Sequence, residues 1–138
     1  HMEWFRRPDG SFAISEIGAR PPGAQIMKLM SYTTGVDMHE AWAELMVFGR
    51  FDAPERTYAA GAAFLRGQGQ GRVVSIEGLD VAQEAVGQWV VEANLPGLGQ
   101  SKAKGYEGEG YAIVRAPQTE QVREALRSII SNVEVRLA

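Results

Sequence analysis

The stretch Met2-Glu3-Trp4-Phe5-Arg6-Arg7-Pro8-Asp9-Gly10-Ser11-Phe12-Ala13-Ile14-Ser15-Glu16-Ile17 decides how the rest of the chain is read. Two short apolar runs flank Asp9-Gly10, a strong local signal for a β-hairpin. Each run carries one carboxylate, Glu3 on the first and Glu16 on the second. Antiparallel pairing about the turn sets Glu3 opposite or diagonal to Glu16, within reach of a common ligand. Neighbouring carboxylates repel unless something positive lies between them, and a divalent cation or a buried arginine supplies that charge. Arg20 follows four residues after Glu16, where the strand gives way to Pro21-Pro22-Gly23.

Beyond that loop, residues 24–32 carry Ile26, Leu29 and Met30 at helical intervals, and Gly35 ends the run. Asp37 with Glu40 three residues on makes a capping-box-like start, with Asp in place of Ser or Thr. The helix it opens runs over 38–48, with Trp42, Leu45 and Met46 as an apolar stripe and Gly49 past its end. Residues 57–65 read as an alanine-rich strand ending at Arg66, and 72–77 as another. Between them, Gly67-Gln68-Gly69-Gln70-Gly71 lacks the Lys-Ser/Thr ending of a phosphate loop and the helix start of a dinucleotide fingerprint, so it reads as a flexible hairpin turn. A short helix over 79–86 and a strand over 88–95 follow. The Gly-, Lys- and Glu-rich residues 96–110 read as a mobile surface connection. A strand over 111–115 precedes the clearest helix, 117–131, with Val122, Ala125, Leu126, Ile129 and Ile130 on one face. A strand over 133–137 closes the chain.

At 138 residues the chain suits one domain with a sizeable core, and 45% hydrophobic with 22% charged residues is ordinary for a globular protein. The net charge of −3 gives no footprint for nucleic acid or an anionic membrane, and the tryptophans are too scattered for a base-stacking platform. The absence of cysteine excludes disulfides, thiolate zinc sites and a cysteine nucleophile. No apolar run reaches spanning length and no signal peptide is visible, so the cytoplasm is expected. His1-Met2 reads as an appended junction, and His1 is set aside. His39, in the first turn of a helix beside Asp37 and Glu40, reads as a surface residue.

The hairpin and its loop resemble the last two core strands of the ATP-grasp domain, found in carboxylate–amine ligases, biotin carboxylases and purine-biosynthetic ligases. In that family an acidic residue on the penultimate strand and a Glu on the last hold Mg²⁺ against ATP phosphates. The last strand typically reads Glu-x-Asn-x-Arg; here it reads Glu16-Ile17-Gly18-Ala19-Arg20, and Gly18 offers no side chain where Asn is usual. Thr34-Gly35-Val36-Asp37 resembles a stretch common after the last core strand in the same ligases, at the expected distance from Glu16.

The resemblance implies an α+β fold, the ATP-grasp C-terminal subdomain, mostly antiparallel sheet with helices packed on it. Residues 1–50 would form the end of the core and 51–138 a C-terminal α/β cap packed with it as one unit. It further implies ATP-dependent ligation through an acyl phosphate, with Glu3 and Glu16 holding Mg²⁺ or Mn²⁺ and Arg20 holding the acyl phosphate or a substrate carboxylate. Gly23 and Ala24 would present backbone N–H groups to an anion, and Arg66 would contact substrate. The adenine-binding lobe and phosphate-gripping lysines would lie in a missing N-terminal portion of the same polypeptide, and this chain would be inactive alone. Small carboxylic acids and amines are the implied substrates, with a lean to amino acids.

From the residues alone, other readings stand. Glu3 and Glu16 equally fit solvent-facing charges on a half-exposed hairpin. Arg20 fits a simple ion pair with Glu16, and Arg66 a cation at a hairpin end. A non-catalytic α/β binding or assembly module, with exposed apolar surface forming a homodimer, is the alternative function.

Overall fold

The computed structural model describes residues 1–138. The first two strands, β1 (Met2–Arg6) and β2 (Phe12–Ile17), pair antiparallel with Glu3 directly opposite Glu16. The turn forms for local reasons. Gly10 takes φ +85, its N–H donates to the Arg7 carbonyl at 2.9 Å, and the Asp9 carboxylate accepts from the Ser11 N–H and hydroxyl at 2.9 and 2.7 Å. A bulge lies between the Glu3 and Trp4 pairings, because Trp4 pairs with Ile14 and leaves Ser15 over. The register places Met2, Trp4, Phe12, Ile14 and Ile17 on one face, and Glu3, Glu16 and Phe5 on the other. Trp4 and Phe12 meet edge to face at 4.7 Å.

Helix α1 (Ile26–Thr34) starts two residues later than its composition suggests, because Ala24 and Gln25 are both left-handed at φ 55 and 62. Helix α2 (Met38–Phe48) keeps its expected bounds. Asp37 caps it by accepting from the N–H groups of His39 and Glu40, and Gly49 stops it at φ 66. Its apolar stripe does not enter a core, however: Met38 is the only buried residue, and Leu45, Met46, Val47 and Phe48 are exposed.

The remaining chain builds two small sheets. In the first, β7 (Gly110–Ala116) runs between β3 (Ala59–Leu65) and β6 (Val90–Asn94), all antiparallel. In the second, β8 (Glu134–Leu137) lies between β5 (Val73–Glu77), antiparallel, and the two-residue β4 (Gln68–Gly69), parallel. Helix α3 (Leu79–Val86) is followed by a 3₁₀ turn, Gly87–Trp89, which delays β6 to Val90. Helix α4 (Thr119–Asn132) opens on a capping box between Gln118 and Gln121. None of the helices is long and apolar enough to cross a membrane.

The β3–β7–β6 sheet is covered on both faces. On one side Ala63, Leu65, Ala112, Val114 and Ala116 meet Val122, Ala125 and Ile129 of α4. Ile130, expected on that face, is 63% exposed. The alternating residues Tyr111, Ile113 and Arg115 point to the other side, where α1 packs. The alanine and glycine of β3 follow from this double cover: a Cβ at Gly61 would stand 2.7 Å from a Leu126 methyl.

Polar side chains fasten α1 to the sheet. Glu92 accepts from Lys28 Nζ, from the Tyr111 hydroxyl at 2.6 Å and from the Tyr32 hydroxyl at 2.9 Å, and Lys28 also donates to the Tyr111 oxygen at 2.9 Å. The hydrogen bond from Lys28 holds the Glu92 carboxyl below its ordinary value, while Glu92 raises Lys28. A lowered carboxyl stabilises the fold above its unfolded value and loses that contribution as pH falls. A raised ammonium does the reverse as pH rises. The clamp is therefore expected to hold between about pH 4.3 and about pH 10.4 and to weaken outside these bounds. Urea midpoints across pH for the native chain and Glu92→Gln check this. Parallel pH profiles for the two would show that Glu92 contributes nothing to it.

Two glycine-rich segments are more ordered than their composition suggests. Residues 67–71 are no hairpin turn, since β3 and β5 belong to different sheets. At Gly69 and Gly71, both at positive φ, a Cβ would meet the carbonyl oxygens of Leu137 and Ala138 at 2.3 and 2.5 Å. The segment is pinned on the last strand, and glycine is required by that approach. Residues 96–110 are likewise fastened. Gln100 and Gly99 exchange backbone hydrogen bonds with Val73 at 2.8 Å, Lys102 reaches the Gly69 and Gly71 carbonyls, and Ser101 bridges to Arg72.

Candidate active site

The expected site residues fall into three places: one cavity, an ion pair beside it, and Arg66 apart. Glu3, Gly23 and Ala24 line a single cavity of about 470 Å³, with Pro22, Ile26 and Tyr106 completing most of its wall. Glu16 is on the same hairpin face as Glu3 but outside that lining, and Arg20 donates to its carboxylate at 2.8 Å. Both members of that pair are about half exposed, so the pair adds little stability by itself. The His1 imidazole lies 3.2 Å from the Glu3 carboxylate.

The loop leading into α1 departs from the sequence reading. The N–H groups of Gly23 and Ala24 are not the first turn of a helix, because the helix begins at Ile26. They nevertheless donate to no backbone carbonyl, and both residues line the cavity that holds Glu3. Two successive left-handed residues without glycine's freedom, Ala24 and Gln25, store strain of the kind found at functional sites. The Gln25 side chain, donating to Glu107 at 3.1 Å, helps hold that conformation.

Arg66 is the outlier. Its guanidinium donates to the Tyr106 carbonyl, and it lines a different cavity with Phe64 and Gln68. It meets the Glu3 cavity only through Tyr106, whose hydroxyl would stand 3.1 Å from a Cβ at Gly23. Sequence reasoning missed Tyr106 and Glu109. The available signal for Glu109 was an acidic residue set between Gly108 and Gly110, a place where backbones approach closely.

The cross-strand pair Glu3 and Glu16 supplies two carboxylates, and no group of three or more His, Cys, Asp or Glu side chains that could hold a metal ion occurs in the chain. That donor set does not fit an all-protein metal cage. It fits Mg²⁺, which binds through one or two carboxylates and takes its remaining ligands from phosphates and water.

No family model matches the sequence, and no curated protein matches it. Solved structures do. The whole chain matches an L-amino acid ligase from Bacillus licheniformis with a TM-score of 0.79 at 18% identity. It matches an N5-carboxyaminoimidazole ribonucleotide synthetase from Thermotoga maritima (0.70, 19%) and a phosphoribosylglycinamide synthetase from Anaerococcus prevotii (0.68, 16%), each over 99% of its length. In all three the chain spans 36% of the other protein's length. The fold is thus the α+β fold that the ATP-grasp resemblance implied, and it is shared with about a third of each of these ligases and synthetases.

Proposed function

We propose that this chain is the C-terminal part of a cytoplasmic, ATP- and Mg²⁺-dependent carboxylate–amine ligase that works through an acyl phosphate. The observation that carries it is the pairing of Glu3 with Glu16 beside the open Gly23 and Ala24 N–H groups, on a fold shared with ligases. Residues 1–50 are the end of the catalytic core and 51–138 its cap. An N-terminal portion of the same polypeptide supplies the nucleotide lobe.

Glu3 and Glu16 hold Mg²⁺ or Mn²⁺, which when bound offsets the charge of the ATP phosphates. The other work belongs to this chain's own groups. Arg20 presents a planar fork to an acyl phosphate or substrate carboxylate while its partner Glu16 keeps it aimed. The N–H groups of Gly23 and Ala24 offer donors to an anion in the same cavity. No side chain here serves as a general base or nucleophile, which agrees with a reaction governed by positioning and charge neutralisation. Amino acids and amines are the proposed substrates, a choice supported by the fold shared with the L-amino acid ligase.

The purified 138-residue chain is expected to hydrolyse no ATP, and detectable hydrolysis overturns the fragment reading. In the parent reading frame, amino-acid-dependent release of ADP and phosphate is expected, with Glu16→Ala and Arg20→Ala each abolishing it. Turnover that survives both substitutions sinks the assignment of the site.

The apolar face of Met2, Trp4, Phe12, Ile14 and Ile17, each more than half exposed, favours a second reading as an assembly module that forms a homodimer. A solution mass independent of concentration counts against it.

A further inference from the structure

Around Arg66 the end of β3 and the end of the 96–110 segment are locked together by one side chain. Glu109 is 5% exposed and is the buried carboxylate of this chain. Its N–H donates to the Leu65 carbonyl at 2.9 Å, and its carboxylate accepts from the N–H groups of Gly67 and, at 2.8 Å, Ala103. Leu65 and Gly67 flank Arg66, so a single residue grips the backbone on both sides of that arginine. The Arg66 guanidinium then reaches the carbonyl of Tyr106, three residues before Glu109, and closes a ring. Glycines permit the approach: a Cβ at Gly108, which sits at φ +73, would stand 2.7 Å from the Leu65 oxygen, and one at Gly67 would stand 3.2 Å from the Glu109 carboxylate. The Tyr106 side chain at the far side of this ring lines the Glu3 cavity.

We propose that Glu109 is a positioning residue that fixes the backbone of Arg66 and, through Tyr106, one wall of the Glu3 cavity. The proposal rests on the ligase reading only for what Arg66 and that cavity meet. Packing alone does not call for a carboxylate here, since burying one is costly. Two backbone N–H donors aimed at its two oxygens call for an acceptor at both positions. A glutamine supplies one oxygen and turns an NH₂ toward the second donor. Burial pushes the Glu109 carboxyl up, but the N–H groups of Gly67 and Ala103, with the Arg66 charge facing it, outweigh burial and leave it lowered. The group therefore stays ionised and acceptor-only at neutral pH.

The test uses amide exchange and nitrogen-15 spectra of the whole chain. Glu109→Gln is expected to speed exchange of the Gly67 or Ala103 amide roughly tenfold and to broaden the Arg66 Nε signal, with Val114 unchanged. Unchanged exchange at both amides, or equal loss at Val114, overturns the proposal. Should that variant not fold, titration of the native chain decides. The Gly67, Ala103 and Arg66 Nε signals are expected to move together with one midpoint below the ordinary glutamate value. An Arg66 signal that does not follow the two amides overturns it. None of these readouts needs ATP or substrate, so their failure is distinct from failure of the ligase reading.

Discussion

Replacing Ile113 with alanine is expected to lower the unfolding free energy by roughly 2–5 kcal/mol, the range for truncating a fully buried aliphatic side chain. Ile113 is 0% exposed on the central strand β7 and points to the α1 face of the sheet, between Tyr111 and Arg115. Both of those neighbours are tied down. Tyr111 belongs to the Lys28–Glu92 clamp, and the Arg115 guanidinium stacks 4.6 Å from the Tyr58 ring centre. The space left by truncation therefore closes poorly, which places the loss toward the upper end of the range. Urea unfolding measures it. Ile130→Ala, on a residue 63% exposed, serves as the control and should change stability by less than about 0.5 kcal/mol. Comparable losses in the two variants would show that the α1 face is not a packed layer.

The second large effect is at Gly78. This residue precedes α3 with φ +75, and a Cβ there would stand 1.9 Å from the carbonyl oxygen of Asn132, the last residue of α4. Two costs follow from Gly78→Ala. A left-handed backbone without glycine costs about 1–3 kcal/mol. The collision adds to that, because the obstructing atom is backbone and no rotamer change clears it. A loss above about 3 kcal/mol is expected. Gly35→Ala separates the two costs: Gly35 has nearly the same φ, +76, but nothing within 4 Å of its would-be Cβ. That variant should lose only the backbone cost, roughly 1–3 kcal/mol. Equal losses at both sites would mean that α4 shifts freely to admit the methyl group.

The parts of the fold legible in the sequence are those whose causes lie close in the chain. Pro8-Asp9-Gly10 specifies the hairpin turn and the register as far as Trp4 against Ile14, and the bulge at Ser15 then sets Glu3 against Glu16. Asp37 and Gly49 bound α2 to the residue, and apolar spacing finds α4. The misread parts have distant causes. Glycines at 67–71 and in 96–110 signal looseness locally, yet Gly69 is required by the Leu137 carbonyl, 68 positions away, and Gly108 by Leu65. The clamp joins Lys28 to Glu92 and Tyr111 across 64 and 83 residues, beyond any periodicity. The Glu3–Glu16 pairing and the cavity-lining Gly23–Ala24 loop were legible as local structure because they follow one another within two strands and a loop. The approach of Tyr106 to that cavity and the burial of Glu109 were not, since both residues come from the far end of the chain.

The hairpin has a further consequence. Its two strands pair only with each other, so each leaves one edge of unpaired N–H and C=O groups, and a lone two-stranded ribbon is marginal in water. Glu3 and Glu16 are thus carried on a ribbon without a third strand, whereas Arg66 follows a strand of the three-stranded β3–β7–β6 sheet. On such a ribbon the spacing of the two carboxylates is free to change when a further strand pairs with either edge.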